Sequence, residues 1–420
     1  MQTQILDADV AFIKQPFLKP LQLSSGLITE ITEARATVRV RVNNREAEGK
    51  GSIYLSDLWA WPDPSKSHEQ RDGVLRTLCQ NIANNLYALC GEEAVHPLEL
   101  GLRLHHSLSQ ARQEIPILAR ALCGSPFDAA IHDAVGQALD CSAFDLYEGS
   151  TPFPSADHYF PRYGASNAIK RMIQPPRSEL SAWLLIGAND NLSQDVAPTV
   201  RERGFRCFKL KLLAQDNNAD VARTIEIFRA LQSFGVATPR LSVDTNEANA
   251  DAEMVQDYLE QLRAKYEAAF DALEYLEQPT GRDITQHAFD WRKVTQLKPV
   301  FLDEGLTDLD LMEEAKQQGW SGFALKTCKG HSFALVAAAW ACENGLKLTM
   351  QDLTNPGLAA IHSALFAAHI PTENGIELNS PQYTPKANSE WLPRLNGLFE
   401  PSDGLHQVPL PAPIGLGSTI

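Results

Sequence analysis

Two kinds of periodicity divide the chain. Residues 34–42, ARATVRVRV, alternate polar and apolar positions with β-branched side chains and stop at Asn43-Asn44, which reads as a half-exposed strand entering a tight turn. From about Gly73 to Glu148 the spacing lengthens to three and four: VLRTLCQNIANNLYALC sets Leu75, Leu78, Ile82, Leu86 and Leu89 along one helical face. After the Pro-containing segment STPFPSADHYFP, short apolar runs alternate with amphipathic helices, the pattern of a parallel sheet. The runs are YFPRYGAS (159–166), FRCFKLKL (205–212), RLSVDTN (240–246), ALEYLEQ (272–278), PVFLDE (299–304), GFALKT (322–327), LKLTMQD (346–352) and GIELNS (375–380). Eight strands with helices between them over about 230 residues have the count and size of a TIM-type barrel.

Among the helices, NADVARTIEIFRALQSFG carries Val221, Ile225, Phe228 and Leu231 as one stripe; a second is expected to start from Thr307 as N-cap and a third at Ser332. The stretch 167–191, NAIKRMIQPPRSELSAWLLIGANDN, exceeds a usual connecting loop and leaves two readings open, a lid at the barrel mouth or an extra packed element. The expected organisation is therefore α/β: a small α+β unit over residues 1–150, a barrel over 151–399, and a tail of about 400–420.

At 420 residues the chain is too long for one ordinary domain, and 44% hydrophobic with 21% charged residues is the composition of a soluble globular protein. The net charge of -15, with no block of Lys and Arg, argues against a nucleic-acid surface. Seven cysteines, among them Cys79, Cys123, Cys207 and Cys328, form no Cys-x-x-Cys pair, so reduced thiols are expected rather than zinc or disulfides. The opening MQTQILDADVAFIKQPF contains acidic residues and no long apolar run; neither a signal peptide nor a membrane span is read there, and a cytoplasmic location is expected.

Barrel sites form at the C-terminal ends of the strands, on residues that point inward. FKLKL sets Lys209 and Lys211 on one side and Phe208, Leu210 and Leu212 on the other. In RLSVDTN, outward Leu241 and Val243 turn Asp244 and Asn246 inward; Glu277 ends the next strand just before Pro279. In VFLDE the alternation favours Asp303 inward and sends Glu304 away, to a supporting or surface position; in GFALK, Lys326 points in. Taken singly, each has a bland reading: a solvated strand face, a turn cap, a strand end. Their shared register favours a site.

Three converging carboxylates cannot all stay ionised in a low-dielectric mouth without a cation, and hard oxygen donors suit Mg²⁺. The lysines beside it are expected to be driven toward the neutral form by desolvation, by the metal and by each other, with Lys211 and Lys326 facing across a substrate. That chemistry is proton abstraction α to a carboxylate, with the enediolate stabilised electrostatically. His331 is expected in a loop or helix cap rather than as a catalyst; Trp59 and Trp61 have two readings, contact with substrate or, more commonly for such residues, packing of the small unit on the barrel.

At FKLKL, VDTNEA, YLEQP, FLDEG and ALKTCKG the chain resembles the enolase superfamily, and within it the muconate-lactonizing-enzyme-like subgroup. The resemblance implies a modified (β/α)7β barrel with an N-terminal capping domain to which the tail returns. It implies Mg²⁺ ligation by Asp244, Glu277 and Asp303, acid/base roles for Lys211 and Lys326, a supporting charge on Lys209, a small carboxylate substrate and a homo-oligomer. FDAAIHDAVGQALDCSAFDLYEG (127–149) is similar to the segment that closes the cap, with Gln137 where the family has lysine; Leu18–Leu27 and Lys50–Trp61 would cover the mouth. The His and Asp pair of mandelate-racemase-like members is absent. The expected activity is racemisation, epimerisation, cycloisomerisation or elimination; the alternatives are a non-catalytic ligand-binding barrel and a metal-independent Schiff-base lyase.

Overall fold

The structure, a computed structural model, describes residues 1–23, 26–111, 114–147, 151–352, 354–355 and 357–420. Ser24 and Ser25 of the expected covering loop, and Glu148 and Gly149 at the end of the cap-closing segment, lie outside the described residues. The chain begins with a three-stranded antiparallel sheet, β1 (Thr3–Leu23), β2 (Gly26–Val42) and β3 (Arg45–Tyr54). The alternation over residues 34–42 forms as expected: Val38, Val40 and Val42 are buried, and Asn43, at φ 55°, makes the turn into β3.

Helices α1 (Asp57–Ala60), α2 (His68–Cys90), α3 (Pro97–Gln110) and α4 (Ile117–Leu139) follow. Ser67 and Gln70 form a capping box that starts α2, whose inner face carries Leu75, Leu78, Ile82 and Leu86. Helix α4 is buried along almost its whole length. Two glycines of β3 allow it to lie directly on the sheet: a Cβ at Gly49 would fall 2.1 Å from the Ala134 nitrogen, and one at Gly51 2.0 Å from the Pro126 oxygen.

The barrel has eight parallel strands: β4 (Glu179–Ile186), β5 (Cys207–Lys211), β6 (Arg240–Asp244), β7 (Leu273–Glu277), β8 (Val300–Leu302), β9 (Gly322–Leu325), β10 (Lys347–Met350) and β11 (Ile376–Glu377). They pair in chain order from β4 to β10, β11 pairs with β4, and a bridge between Gln351 and Glu377 joins β10 to β11. The outer helices include α5 (Gly164–Met172), α6 (Ala197–Arg203), α7 (Asn217–Ser233), α8 (Ala252–Lys265), α9 (Glu267–Ala272), α10 (Arg292–Thr295), α11 (Leu311–Gln318), α12 (His331–Glu343) and α13 (Gly357–His369). None of the described helices is long and apolar enough to cross a membrane.

The first barrel strand is not YFPRYGAS. Tyr159 ends a 3-10 turn and Gly164, at φ 72°, starts α5. The strand is ELSAWLLI, inside the stretch read as a lid or extra element; Pro175-Pro176 separates it from α5, and Leu180, Trp183 and Ile186 are buried. Thr307 does not cap a helix: α11 begins at Leu311, and the Thr307 carbonyl accepts a hydrogen bond from His105 Nε2 at 3.1 Å. Helix α12 starts one residue before Ser332, at His331, which is no loop or cap residue; its ring packs 4.5 Å from that of His132.

Two carboxylates of α4 tie the chain together. Asp128 accepts from the Ser332 nitrogen and hydroxyl, both at 2.8 Å, and so holds the start of α12. Asp133 accepts from the backbone nitrogens of Leu416 (2.7 Å) and Lys50 (2.9 Å), so residues near the C-terminus lie on the N-terminal unit. Earlier in the tail, β12 (Leu405–Gln407) pairs antiparallel with β4. Asp128→Ala leaves two buried donors of α12 unpaired; chemical denaturation should show a loss of about 2–4 kcal/mol, with Asp128→Asn recovering part of it.

Candidate active site

Parallel pairing puts the functional side chains at one height. Lys211 lies opposite Asp244, and Asp244 opposite Glu277, so neighbouring strands project these groups from the same face of the sheet. Lys209, Lys211, Asp244, Glu277, Asp303 and Lys326 are all buried, and the structure brings them together. Lys209 Nζ is 3.1 Å from Asp244 and 2.9 Å from Glu277; Lys211 Nζ donates to Asp244 Oδ2 at 2.5 Å and to Asn246 Oδ1 at 2.9 Å. Lys326 donates to Asp303 and lies 3.6 Å from Glu277.

The supporting residues are partly new. Glu277 accepts from Gln351, and Glu377 lies 3.0 Å from Lys209. Lys329 donates to the Asp303 carbonyl, with its ammonium 3.2 Å from Asp303 Oδ1. Gln278 Oε1 accepts from the backbone nitrogens of Asp303 (2.9 Å) and Gly305 (3.0 Å), fixing the turn that presents Asp303. Glu377 was within reach of the sequence: Ile376 and Leu378 flank it as Val243 and Thr245 flank Asp244. Nothing local marks Lys329, because it leaves the strand on a 3-10 turn.

Glu304, expected to point away from the site, is not at the surface; it is 1% exposed and bonds residues that line the site. Its Oε1 accepts from Trp59 Nε1 at 2.7 Å and from Asn246 Nδ2 at 3.3 Å. Trp59 does pack the N-terminal unit on the barrel, yet it also faces the site, with Lys326 Nζ 5.0 Å from the centre of its ring system.

Electrostatics follow from burial and crowding. Burial pushes the Glu277 carboxyl up, the Asp244 and Asp303 charges add to this, and despite Lys209 it reaches about 8. Burial opposes ionisation of Asp244 too, but Lys211 and Lys209 outweigh it and hold the group at about 2; Lys326 and Lys329 likewise hold Asp303 below the usual range. Burial, then the Asp303 charge, lifts Glu304 to about 7. The same competition acts on Lys209 and Lys326. Burial pushes both down, but the carboxylates around them outweigh it and raise them above the ordinary lysine value. The expectation counted a metal among the lysines' neighbours; here the carboxylates remain theirs.

The donor set suits a hard divalent cation: three buried carboxylates from the ends of adjacent strands, with Asp303 Oδ1 engaged only by the Lys329 ammonium. Among the described residues, no three carboxylate, imidazole or thiolate groups close on one point, and the ammonium groups of Lys209 and Lys326 lie between the acids. A cation entering here would take over carboxylates that the lysines now neutralise. Above the acids is a small cavity of about 40 Å³, lined by Lys209, Lys211, Lys326, Asn246 and Trp59 among others.

Residues 191–420 match the family model described as enolase C-terminal domain-like. The chain belongs to the enolase C-terminal domain-like family. Solved structures of the same fold include muconate lactonizing enzyme from Pseudomonas fluorescens complexed with muconolactone, at 20% identity and a TM-score of 0.65, covering 99% of this chain and 96% of that one. An enolase from Bradyrhizobium complexed with magnesium and mandelic acid is 17% identical with a TM-score of 0.66, over 99% and 96%. Dipeptide epimerase from Enterococcus faecalis, complexed with Mg and L-Leu-L-Tyr, is 16% identical with a TM-score of 0.66, over 99% of each chain. No curated protein matches the sequence.

Lys209 neutralises Asp244, Glu277 and Glu377 together. Lys209→Met should therefore destabilise the metal-free protein by about 3–5 kcal/mol in urea unfolding, and a divalent cation should restore more stability to the variant than it adds to the wild type.

Proposed function

We propose that this protein is a Mg²⁺-dependent enzyme of the muconate-lactonizing-enzyme-like subgroup that removes the proton α to a substrate carboxylate. The observation that carries the reading is that Lys211 and Lys326, from β5 and the end of β9, line one cavity with Asp244, Glu277 and Asp303 between their strands. Relatives of the same fold are described with magnesium and carboxylate ligands, which supports the cofactor and the substrate class. In this reading residues 1–150 cap the mouth, residues 151–399 form the catalytic barrel, and Asp244, Glu277 and Asp303 hold the metal.

Bound Mg²⁺ supplies positive charge against the substrate carboxylate and makes the α proton acidic enough to be moved by an amine. With Asp303 and Glu277 engaged by a cation, burial is left to push Lys326 down, toward the form that accepts a proton. Lys211, held by Asp244 and Asn246, stands on the other side to take or return one. Lys209 stays charged and stabilises the enediolate. The pair serves isomerisation through exchange on either face, or elimination through one.

In D₂O with Mg²⁺, a carboxylic-acid library followed by NMR should contain acids whose α proton exchanges. Lys326→Ala and Lys211→Ala should each lower that rate by about 10²–10⁴-fold, and a chelator should abolish it. A library with no exchanging acid contradicts the proposal.

A further inference from the structure

Directly after β6, the backbone takes an unfavourable course. Asn246 and Glu247 both sit in the left-handed region, at φ 45° and 69°. Asparagine adopts that conformation readily because its short amide bonds nearby groups; glutamate does so only where its surroundings hold it. Asn246 is fixed locally, its nitrogen donating to Asp244 Oδ1 at 2.7 Å. Glu247 has to be held from another part of the chain.

Arg282, in the segment after β7, provides that hold. Its backbone nitrogen donates to Glu247 Oε2 at 2.7 Å, its Nε reaches Oε1 at 3.0 Å and Oε2 at 2.9 Å, and its Nη2 also donates to Oε1. The Glu247 nitrogen donates to the Gln278 carbonyl at 2.9 Å, so the turn is fastened to the end of β7 as well. The two side chains are 23% and 18% exposed, mostly shielded from water. The guanidinium fork matches a carboxylate in a way that a lysine ammonium does not.

The turn presents Asn246 to the site. Asn246 Oδ1 accepts from Lys211 at 2.9 Å, and its Nδ2 donates to Glu304 Oε1 at 3.3 Å. Glu304 Oε1 also accepts from Trp59 Nε1, and the Trp59 carbonyl accepts from Arg282 Nη2 at 3.1 Å. Arg282, Glu247, Asn246, Glu304 and Trp59 therefore close a ring that joins the N-terminal unit to the residue holding Lys211. Asn246, Trp59 and Lys211 line the cavity, whereas Arg282 and Glu247 are not among its lining residues. An effect of Arg282 on chemistry has to pass through Asn246.

We propose that Arg282 is a positioning residue: by pinning Glu247 it fixes the turn that sets Asn246 Oδ1 against the Lys211 ammonium. This rests on the reading that Lys211 takes or returns the α proton. Without that bond Lys211 keeps Asp244 but loses its fixed direction, so the proton is reached less often while substrate binding changes little.

Arg282→Met and Arg282→Lys, each made in the full chain and loaded with Mg²⁺, test this in the α-proton exchange assay. Arg282→Met should lower kcat by about 10–100-fold and leave KM within about twofold; Arg282→Lys should lose less. In an Asn246→Ala background the same Arg282→Met change should cost less than about twofold, because the residue it acts through is gone. Equal losses in the two backgrounds, or a loss carried by KM, overturn the inference. Should Arg282→Met not fold, Arg282→Lys is read in the same way. A crystal structure of the variant needs no substrate: Asn246 should leave the left-handed region, with its Oδ1 out of hydrogen-bond range of Lys211. If Asn246 keeps both, the inference falls whatever the exchange assay gives. If Asn246 moves and no acid exchanges with the wild type, the placement by Arg282 stands and the proposed reaction falls.

Discussion

Acids and lysines that cannot reach water must neutralise each other at the mouth of the barrel, and much of the rest of the molecule serves that constraint. Asp244, Glu277, Asp303, Glu304 and Glu377 are nearly inaccessible, as are Lys209, Lys211, Lys326 and Lys329. In such a medium an unmatched charge costs several kcal/mol. Parallel register answers the problem by setting Lys211, Asp244 and Glu277 side by side, with Lys209 reaching three acids from one strand. The balance is close, not complete. Glu277 is left with a carboxyl pushed up to about 8, and Asp303 Oδ1 faces only the Lys329 ammonium, at 3.2 Å. A cluster in that condition gains from a divalent cation.

The N-terminal unit makes this cluster possible by keeping water out and by locating the element that carries Lys326 and Lys329. Trp59 bonds Glu304 and lies by Lys326, while Phe17, Leu21, Ile28 and Ile31 of the β1–β2 hairpin line the cavity. Behind them α4 sits against β3 through Gly49 and Gly51 and grips α12 through Asp128. Helix α12 begins directly after the turn that bears Lys329. Stability of the cap and geometry of the lysines are therefore linked through one helix.

Much of this was legible in the residues because a strand buried on both faces gives its inward polar positions away. Asp244 sits between Val243 and Thr245, Lys326 follows Phe323 and Leu325, and neither has a packing reason to be there. Failures came where periodicity carries no such signal. YFPRYGAS has the aromatic content of a strand, but Gly164 at positive φ turns it into a helix start, while the true first strand, ELSAWLLI, hid behind two prolines. Thr307 looked like a cap because caps are read from residue type, whereas the chain there is fixed by a contact with His105 from a distant helix.

The most direct measurement is anomalous diffraction from a crystal soaked in Mn²⁺ as a stand-in for Mg²⁺. The account predicts one strong peak within coordination range of Asp244, Glu277 and Asp303, with the Lys326 ammonium moved off Asp303 toward the cavity. A peak elsewhere, or none while Lys326 keeps its bond to Asp303, would contradict it.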